Sequence, residues 1–127
     1  MSYTFIENWF KKKGWELHDH QREMIQSATR GLSNLLIAPT GGGKTLAGFL
    51  PSIIELNAPP SDSLHTLYVS PLKALTVDVA RNLLNPLSDM KLSITVETRT
   101  GDTPQSRRQR QRKSPPNILL TTPESLA

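Results

Sequence analysis

A glycine-rich turn near the centre of the chain carries the clearest chemistry. Residues 38–45 read Ala-Pro-Thr-Gly-Gly-Gly-Lys-Thr, between a short apolar run and a segment with helical spacing. Glycines let successive backbone N–H groups curl around a phosphate without side-chain clashes, and the N-terminus of the following helix adds partial positive charge. The turn therefore predicts a loop that binds the phosphates of a nucleotide together with Mg²⁺.

Each residue of this turn has a predicted role. Lys44 reaches the β- and γ-phosphates and the Thr45 hydroxyl ligates Mg²⁺; these two are also the candidate catalytic residues. The residues of this turn that are assigned to nucleotide binding are Thr40, Gly41, Gly42, Gly43, Lys44 and Thr45. The general pattern for such loops has Gly where this chain has Ala38. The alternative is a glycine-rich turn without a ligand, which the Lys-Thr pair and the placement between strand and helix disfavour.

Strands that alternate with helices must position this loop. The predicted strands are 35–38, 66–69, 92–96 and 117–121, and the predicted helices are 4–13, 19–30, 44–56, 71–84 and 103–113. Thr4 and Glu7 predict a capping box, and Gly14 and Gly31 predict helix ends. Pro51 is expected to kink or shorten its helix. Thr103 is expected as an N-cap. The alternation predicts an α/β fold with a mostly parallel sheet and helices on both faces.

Composition excludes several classes of protein. The 127 residues contain no cysteine, which rules out disulfides and thiolate metal sites. His18, His20 and His65 lack metal-site spacing. No apolar run reaches the roughly 18 residues of a membrane span, and the N-terminus does not read as a signal peptide. A cytoplasmic protein without a membrane partner is expected. The net charge of +4 fits a polyanionic partner.

Four segments together resemble the motifs of superfamily 2 DEXH-box helicases. Residues 38–45 resemble motif I, whose first residue is alanine in this superfamily. Residues 69–75 resemble motif Ia, residues 98–103 resemble motif Ib, and residues 119–126 resemble the next nucleic-acid motif, with Thr-Thr-Pro-Glu-Ser at its centre. Their order and spacing cover essentially the whole chain. The combined signature is most similar to the large helicase-related group, and within it to bacterial DNA-ligase-associated DEXH-box helicases.

The resemblance implies a P-loop RecA-like fold that is incomplete in this chain. Residues 1–31 would be an N-terminal helical region with an adenine-reading motif. Residues 32–127 would be the first part of RecA-like domain 1, truncated before the DEXH box and lacking its later strands. Gln21 lies where the family has its adenine-reading glutamine; the alternative is an ordinary solvated helix residue. The adenine-stacking aromatic would be Phe5, Trp9 or Phe10, unless these three only pack the core.

The resemblance also implies which residues contact nucleic acid. They are the residues that follow the second, third and fourth predicted strands: Pro71, Leu72, Lys73, Ala74, Arg99, Thr100, Gly101, Thr121, Thr122 and Pro123. Asp102 and Glu124 are expected to brace these loops or cap helices rather than contact DNA. A basic run on the predicted helix 103–113 offers a rival contact through its five cations, or else a solvated face: Arg107, Arg108, Arg110, Arg112 and Lys113.

The function implied is that of an ATP-dependent DNA helicase or translocase in DNA repair. Its partners would be single-stranded or partly duplex DNA, with DNA ligase and other repair proteins. The sequence contains no adjacent Asp-Glu pair, so this chain by itself is expected to bind ATP without hydrolysing it. One alternative is a catalytically inactive nucleic-acid-binding P-loop module. A small P-loop kinase is a second alternative, which Ala38 and the three later motifs disfavour.

Overall fold

The chain forms two compact units, residues 1–58 and 59–127. The structure, a computed structural model, describes residues 3–37, 44–57 and 63–126. The boundary between the two units, after residue 58, differs from the predicted division after residue 31. The predicted division separates functions rather than compact units, and it stays a prediction.

The first unit contains three helices: α1 Thr4–Lys12, α2 Asp19–Thr29 and α3 Lys44–Leu56. Glycine ends the first two as predicted, with φ of 75° at Gly14 and 71° at Gly31. At both helix ends, the N–H that follows the glycine donates to a carbonyl near the end of the helix. Trp15 N–H donates to the Phe10 carbonyl (2.9 Å), and Leu32 N–H donates to the Ser27 carbonyl (3.0 Å). Glycine reaches this left-handed conformation without the penalty of a Cβ.

The predicted capping box at the start of α1 is wrong, because the N-cap lies one residue earlier, at Tyr3, and its side chain makes no capping hydrogen bond. The Tyr3 carbonyl accepts the first helical hydrogen bonds, from the N–H groups of Ile6 (3.0 Å) and Glu7 (3.2 Å). Tyr3 is therefore the N-cap and Thr4 already lies inside the helix. The apolar face of α1 is nevertheless buried at Ile6, Trp9 and Phe10, as the sequence pattern indicates.

The helix after the glycine-rich turn has the predicted bounds. Phe49, Leu50, Ile53 and Ile54 are buried, and α3 packs against α2. Pro51 does not shorten α3, which continues to Leu56. A proline inside a helix costs about 3 kcal/mol, and burying two or more large apolar side chains, at about 1.5–3 kcal/mol each, offsets that cost.

The predicted strand at residues 35–38 is wrong for the residues that the structure describes. Residues 35–37 have no regular secondary structure. The side chains of Leu35 and Ile37 are 86% and 84% exposed. A strand needs a hydrogen-bonded neighbour, and the described sheet pairs only strands of the second unit. Ala38 lies outside the described residues.

The second unit is a parallel α/β arrangement. Its strands are β1 Thr66–Val69, β2 Val96–Arg99 and β3 Ile118–Thr121, in the order β1-β3-β2, and both pairings are parallel. Helices α4 Lys73–Asp89, α5 Gln105–Lys113 and α6 Pro123–Leu126 each follow one strand. The central strand β3 is buried at Ile118, Leu120 and Thr121, and α4 packs on β2 and β3. The predicted α/β class with a parallel sheet is confirmed.

Several boundaries in this unit differ from prediction. The strand predicted at 92–96 lies instead at Val96–Arg99, with Val96 alone in common. It begins at Val96 because the Asn117 side chain accepts the Thr95 N–H (3.0 Å) in place of a ladder bond. α4 extends to Asp89, five residues beyond the predicted end. α5 has Pro104 as its N-cap, since the Thr103 hydroxyl instead accepts the Thr100 N–H (2.9 Å). None of the described helices is long and apolar enough to cross a membrane.

Candidate nucleic-acid interface

Three predicted motifs meet at one edge of the sheet in the second unit. Val69 of β1 and Arg99 of β2 both lie opposite Thr121 of β3, so the carboxyl ends of the three strands are level. The loops that follow them enclose an open cleft of about 580 Å³. The cleft is lined by Pro71, Lys73, Arg99, Gly101, Arg108, Arg112, Thr122, Glu124 and Ser125. Clefts at this edge are the usual ligand sites of open α/β sheets.

The loop after β1 is held to β3 and to the loop after β2. The buried Ser70 donates its N–H to the Thr121 carbonyl (3.0 Å), and its Oγ accepts the Leu72 N–H (3.3 Å). Lys73 then begins α4, and its Nζ lies 3.1 Å from Asp102 Oδ2. The predicted residues 71–74 are all exposed. Asp102 therefore braces the loops, as predicted.

The loop after β2 is a tight turn built on Thr100. This residue is buried; its Oγ1 accepts the Asp102 N–H (3.2 Å) and its carbonyl accepts a hydrogen bond from Arg108 Nη2 (2.7 Å). Gly101 is exposed at the tip of the turn and lines the cleft. A Cβ added at Gly101 would meet nothing within 4 Å. The structure thus gives Thr100 a scaffolding position and Gly101 a position that a ligand can approach closely.

The loop after β3 begins with two buried threonines. The Thr121 hydroxyl donates to the Arg99 carbonyl (2.7 Å) and so ties the ends of β3 and β2 together. The Thr122 hydroxyl lies 3.3 Å from Ser125 Oγ, and Thr122 also lines the cleft. Pro123 is exposed and opens α6. Of the three predicted contact residues in this loop, Thr121 therefore faces the protein, while Thr122 and Pro123 remain at the surface of the cleft or beside it.

Positive charge dominates the cleft lining. Four cationic side chains line it, against the single carboxylate of Glu124: Lys73, Arg99, Arg108 and Arg112. The Nε atoms of Arg99 and Arg108 are buried and have no hydrogen-bond partner among the described residues. A buried donor without a partner costs roughly 1–3 kcal/mol. An anionic ligand with several acceptor oxygens would offset the positive charge that these side chains bring to the cleft.

The basic helix α5 presents two different faces. Arg110 and Gln111 (Nε2, 3.0 Å) both donate to Glu97 Oε1 on β2. Burial raises the pKa of Glu97, but the hydrogen bonds from Arg110 and Gln111 and the positive charge of Arg110 and Arg107 outweigh it and hold that pKa below its ordinary value. Arg108 and Arg112 line the cleft instead. The sequence signal for this division is the i, i+4 spacing of Arg108 and Arg112.

The motif loops and the basic helix, predicted as rival contacts, therefore line the same cleft. Arg108 and Arg112 line this cleft, whereas Arg110 forms an ion pair with Glu97. In the sequence the five cations form a single group, and nothing there identifies Glu97 as the anchor of the helix.

The predicted phosphate loop falls mostly outside the described residues. Thr40, Gly41, Gly42 and Gly43 lie there, as does the side chain of Lys44. α3 begins at Lys44, and Thr45 is exposed in its first turn. The helix start is where a phosphate-binding loop would place it. In the described part of the chain, no group of three or more His, Cys, Asp or Glu side chains is suited to hold a metal ion.

Gln21 and the nearby aromatics are placed more clearly. Gln21 is only 2% exposed, and its Oε1 accepts the His18 N–H at the start of α2 (2.8 Å). The alternative of an ordinary solvated residue is wrong. Trp9 and Phe10 are buried in an edge-to-face pair with centroids 5.5 Å apart, whereas Phe5 is half-buried. Trp9 and Phe10 thus pack the core, and Phe5 is the most accessible of the three.

Comparison with known proteins gives consistent matches. The sequence model of the family described as DEAD/DEAH box helicase matches residues 18–127. The ATP-dependent helicase Lhr-Core of Methanothermobacter thermautotrophicus is 40% identical over 139 aligned residues, covering 98% of this chain and 16% of the relative. The Lhr helicase/probable uracil glycosylase of Mycolicibacterium smegmatis is 47% identical over 119 residues, covering 84% of this chain and 8% of the relative.

A solved structure also matches. The Mycobacterium smegmatis helicase Lhr bound to ssDNA and AMP-PNP has a TM-score of 0.89 and 42% sequence identity, over 98% of this chain and 17% of that one. The chain therefore spans 8–17% of the length of these three proteins.

Proposed function

The chain belongs to the DEAD/DEAH box helicase family, and we propose that it supplies the nucleotide loop and part of the nucleic-acid track of an ATP-dependent DNA helicase or translocase. Residues 40–45 would hold the phosphates of MgATP. The cleft in the second unit would hold the sugar-phosphate backbone of single-stranded or partly duplex DNA. Membership of this family disfavours the P-loop kinase alternative.

The observation that carries the proposal is the composition of the cleft. Three loops that the sequence identifies separately, together with helix α5, line one surface that carries four cations. Such a surface suits phosphate oxygens, and contacts to phosphate position a strand without reading its sequence. The structural relative bound to ssDNA and AMP-PNP supports the same ligand class.

The nucleotide assignment depends on the order of elements around residues 40–45. α3 begins at Lys44, so its free N–H groups would face a phosphate held by the glycines. The exposed Thr45 hydroxyl stands one residue further on, a position from which it can ligate the Mg²⁺ that accompanies ATP. Gln21 would read adenine, the role that the resemblance gives it, since an amide side chain offers both a donor and an acceptor, and Phe5 would stack on the base. The relatives named ATP-dependent helicases support this assignment.

The wider biological assignment extends the same proposal. Hydrolysis would need an acidic Asp-Glu box and an arginine at the transferred phosphate, and the 127 residues contain no adjacent Asp-Glu pair. The chain alone would therefore bind nucleotide without turnover. The narrower likeness to DNA-ligase-associated helicases would place the protein in the cytoplasm, in DNA repair, with DNA ligase and other repair proteins as partners. The catalytically inactive binding module is the second candidate, since the cleft by itself requires no motor.

Replacing both Lys73 and Arg99 with alanine tests the proposal. The double variant should bind single-stranded DNA more weakly, and its salt dependence should flatten by about 0.7 for each phosphate that the protein no longer neutralises. Filter binding at several salt concentrations measures both quantities. Unchanged affinity and slope, in a variant with unchanged circular dichroism, would refute the cleft as the DNA site.

A further inference from the structure

Helix α5 is not part of any of the three motif loops, yet it forms a wall of the cleft. Arg108 and Arg112 are four residues apart and lie on one face of the helix. Both line the cleft together with Lys73 and Arg99. The helix thus adds two cations to a surface that otherwise carries two.

Two other residues of α5 fix the helix to the sheet. Arg110 and Gln111 bind the carboxylate of Glu97, and Gln111 Nε2 also donates to the Thr98 carbonyl (3.1 Å). Gln111 is buried. These hydrogen bonds anchor the helix to β2 from one side, so the face that carries Arg108 and Arg112 is held toward the cleft.

The two arginines of that face are not equivalent. Arg108 already donates to the Thr100 carbonyl (2.7 Å), so part of its guanidinium supports the turn after β2. Arg112 is exposed and has no ion-pair partner among the described residues. A guanidinium has five donors and no acceptor, and a phosphate diester is an acceptor that fits its planar fork.

We propose that α5 is an additional DNA-binding element, in which Arg112 contacts a backbone phosphate of the strand held in the cleft. This inference rests on the proposed function of the cleft and deepens it, because it adds a contact outside the motif loops. Arg108 completes the element by linking the helix to the turn that presents Gly101 to the ligand.

Arg107 provides a matched control on the same helix. It is exposed and does not line the cleft, so Arg107→Gln and Arg112→Gln remove the same charge from positions that differ in geometry. Both side chains are exposed. The charge of Arg107 acts on Glu97 rather than on the cleft, so urea unfolding of Arg107→Gln checks that α5 stays anchored. Arg108 is a poorer test, since its replacement would also remove the hydrogen bond that it donates to the Thr100 carbonyl.

The experiment is a titration of a labelled oligothymidylate against the unaltered chain and the two variants at several salt concentrations. Arg112→Gln should weaken binding several-fold at low salt and lower the salt slope by about 0.7, the value for one phosphate contact on a single strand. Arg107→Gln should change affinity less than about twofold and leave the slope unchanged, since an exposed charge outside the cleft is largely screened.

Equal effects of the two variants would overturn the proposal, because they would mean that only the net charge of α5 matters. No effect of Arg112→Gln, with binding still weakened on replacing Lys73 and Arg99, would overturn it while leaving the proposed function intact. Failure of every chain to bind the oligothymidylate would overturn both. Competition by polyglutamate that depends on Arg112 as strongly as DNA binding does would instead assign the surface to an acidic protein partner.

Discussion

The two units of this chain carry their functional residues in different ways. In residues 1–58 the predicted nucleotide site is mainly one continuous turn, residues 40–45, next to the start of α3. In residues 59–127 the candidate DNA site comprises three loops that are distant in sequence, and parallel register brings them level. A contiguous motif is recognisable in a sequence, whereas a site assembled from strand ends also needs the sheet order and the intervening helices.

This difference implies that the two sites can be disabled independently. A change in the continuous turn removes phosphate contacts within the first unit only. A change in the cleft alters loops that are braced to one another within the second unit, as the Lys73–Asp102 ion pair and the Thr121–Arg99 hydrogen bond show. Substitutions in one unit should therefore leave the ligand of the other unit bound.

The largest effect is expected at the nucleotide loop. Lys44→Ala should weaken MgADP binding by roughly ten- to a hundredfold, because charge-assisted hydrogen bonds to phosphate are worth about 1.5–3 kcal/mol. Isothermal titration calorimetry measures the change. Lys12→Ala, at the exposed end of α1, removes the same charge and should bind like the unaltered chain. Equal affinities of all three proteins would exclude Lys44 from the phosphate site.

A smaller effect is expected on the stability of the second unit. Glu97→Gln should lower the free energy of unfolding by about 1 kcal/mol near neutral pH, since the carboxylate accepts hydrogen bonds from Arg110 and Gln111. The figure is modest because Arg110 is half exposed and solvent screens the pair. Urea unfolding measures it, and Glu23→Gln, at an exposed position of α2, is the matched control.

The pH dependence of that effect follows from the lowered pKa of Glu97. Because the folded-state pKa lies below the unfolded-state value, the ionised carboxylate stabilises the fold above the unfolded pKa. This contribution is lost as the pH falls through the folded pKa. The unaltered chain and Glu97→Gln should therefore converge in stability in acid. A difference that persists undiminished well below the folded pKa would show that charge on Glu97 is not its source.

The smallest effect is expected at the brace between two cleft loops. Lys73 and Asp102 are 52% and 77% exposed, so their ion pair adds little stability. Asp102→Asn should strengthen DNA binding by about two- to threefold, because phosphate no longer competes with a carboxylate for Lys73. Filter binding measures this, with Asp78→Asn on the exposed surface of α4 as control. Weaker binding by Asp102→Asn would mean that the brace positions Lys73 for DNA.

The sequence predicts well where a local rule decides the structure. Turn chemistry within a few residues explains why α1 and α2 end at Gly14 and Gly31 and why α3 begins at Lys44. β1 and β3 follow from compact apolar runs bounded by polar residues. The placement of the motif loops at one sheet edge follows from strands that alternate with helices, whereas their order along that edge, β1-β3-β2, does not.

Prediction from sequence fails where residues distant in the chain determine the local structure. The start of β2 depends on Asn117, whose side chain accepts a hydrogen bond from the Thr95 N–H, twenty-two positions earlier, in place of a bond to the neighbouring strand. The division of α5 into two faces depends on Glu97, which captures Arg110 and leaves Arg112 to the cleft. Residues 35–37 are as apolar as a strand but have no neighbour in the described sheet. Periodicity contains no information about such partners.

The most direct test of two separable sites is a crossed binding measurement. MgADP and a labelled single-stranded oligonucleotide are each titrated into Lys44→Ala and into the chain with Lys73 and Arg99 both replaced by alanine. Lys44→Ala should lose nucleotide affinity and keep DNA affinity within about twofold. The double variant should show the reverse, with its salt slope reduced by about 0.7 for each phosphate that is no longer neutralised. Loss of affinity for both ligands in either protein, with circular dichroism unchanged, would contradict separate sites.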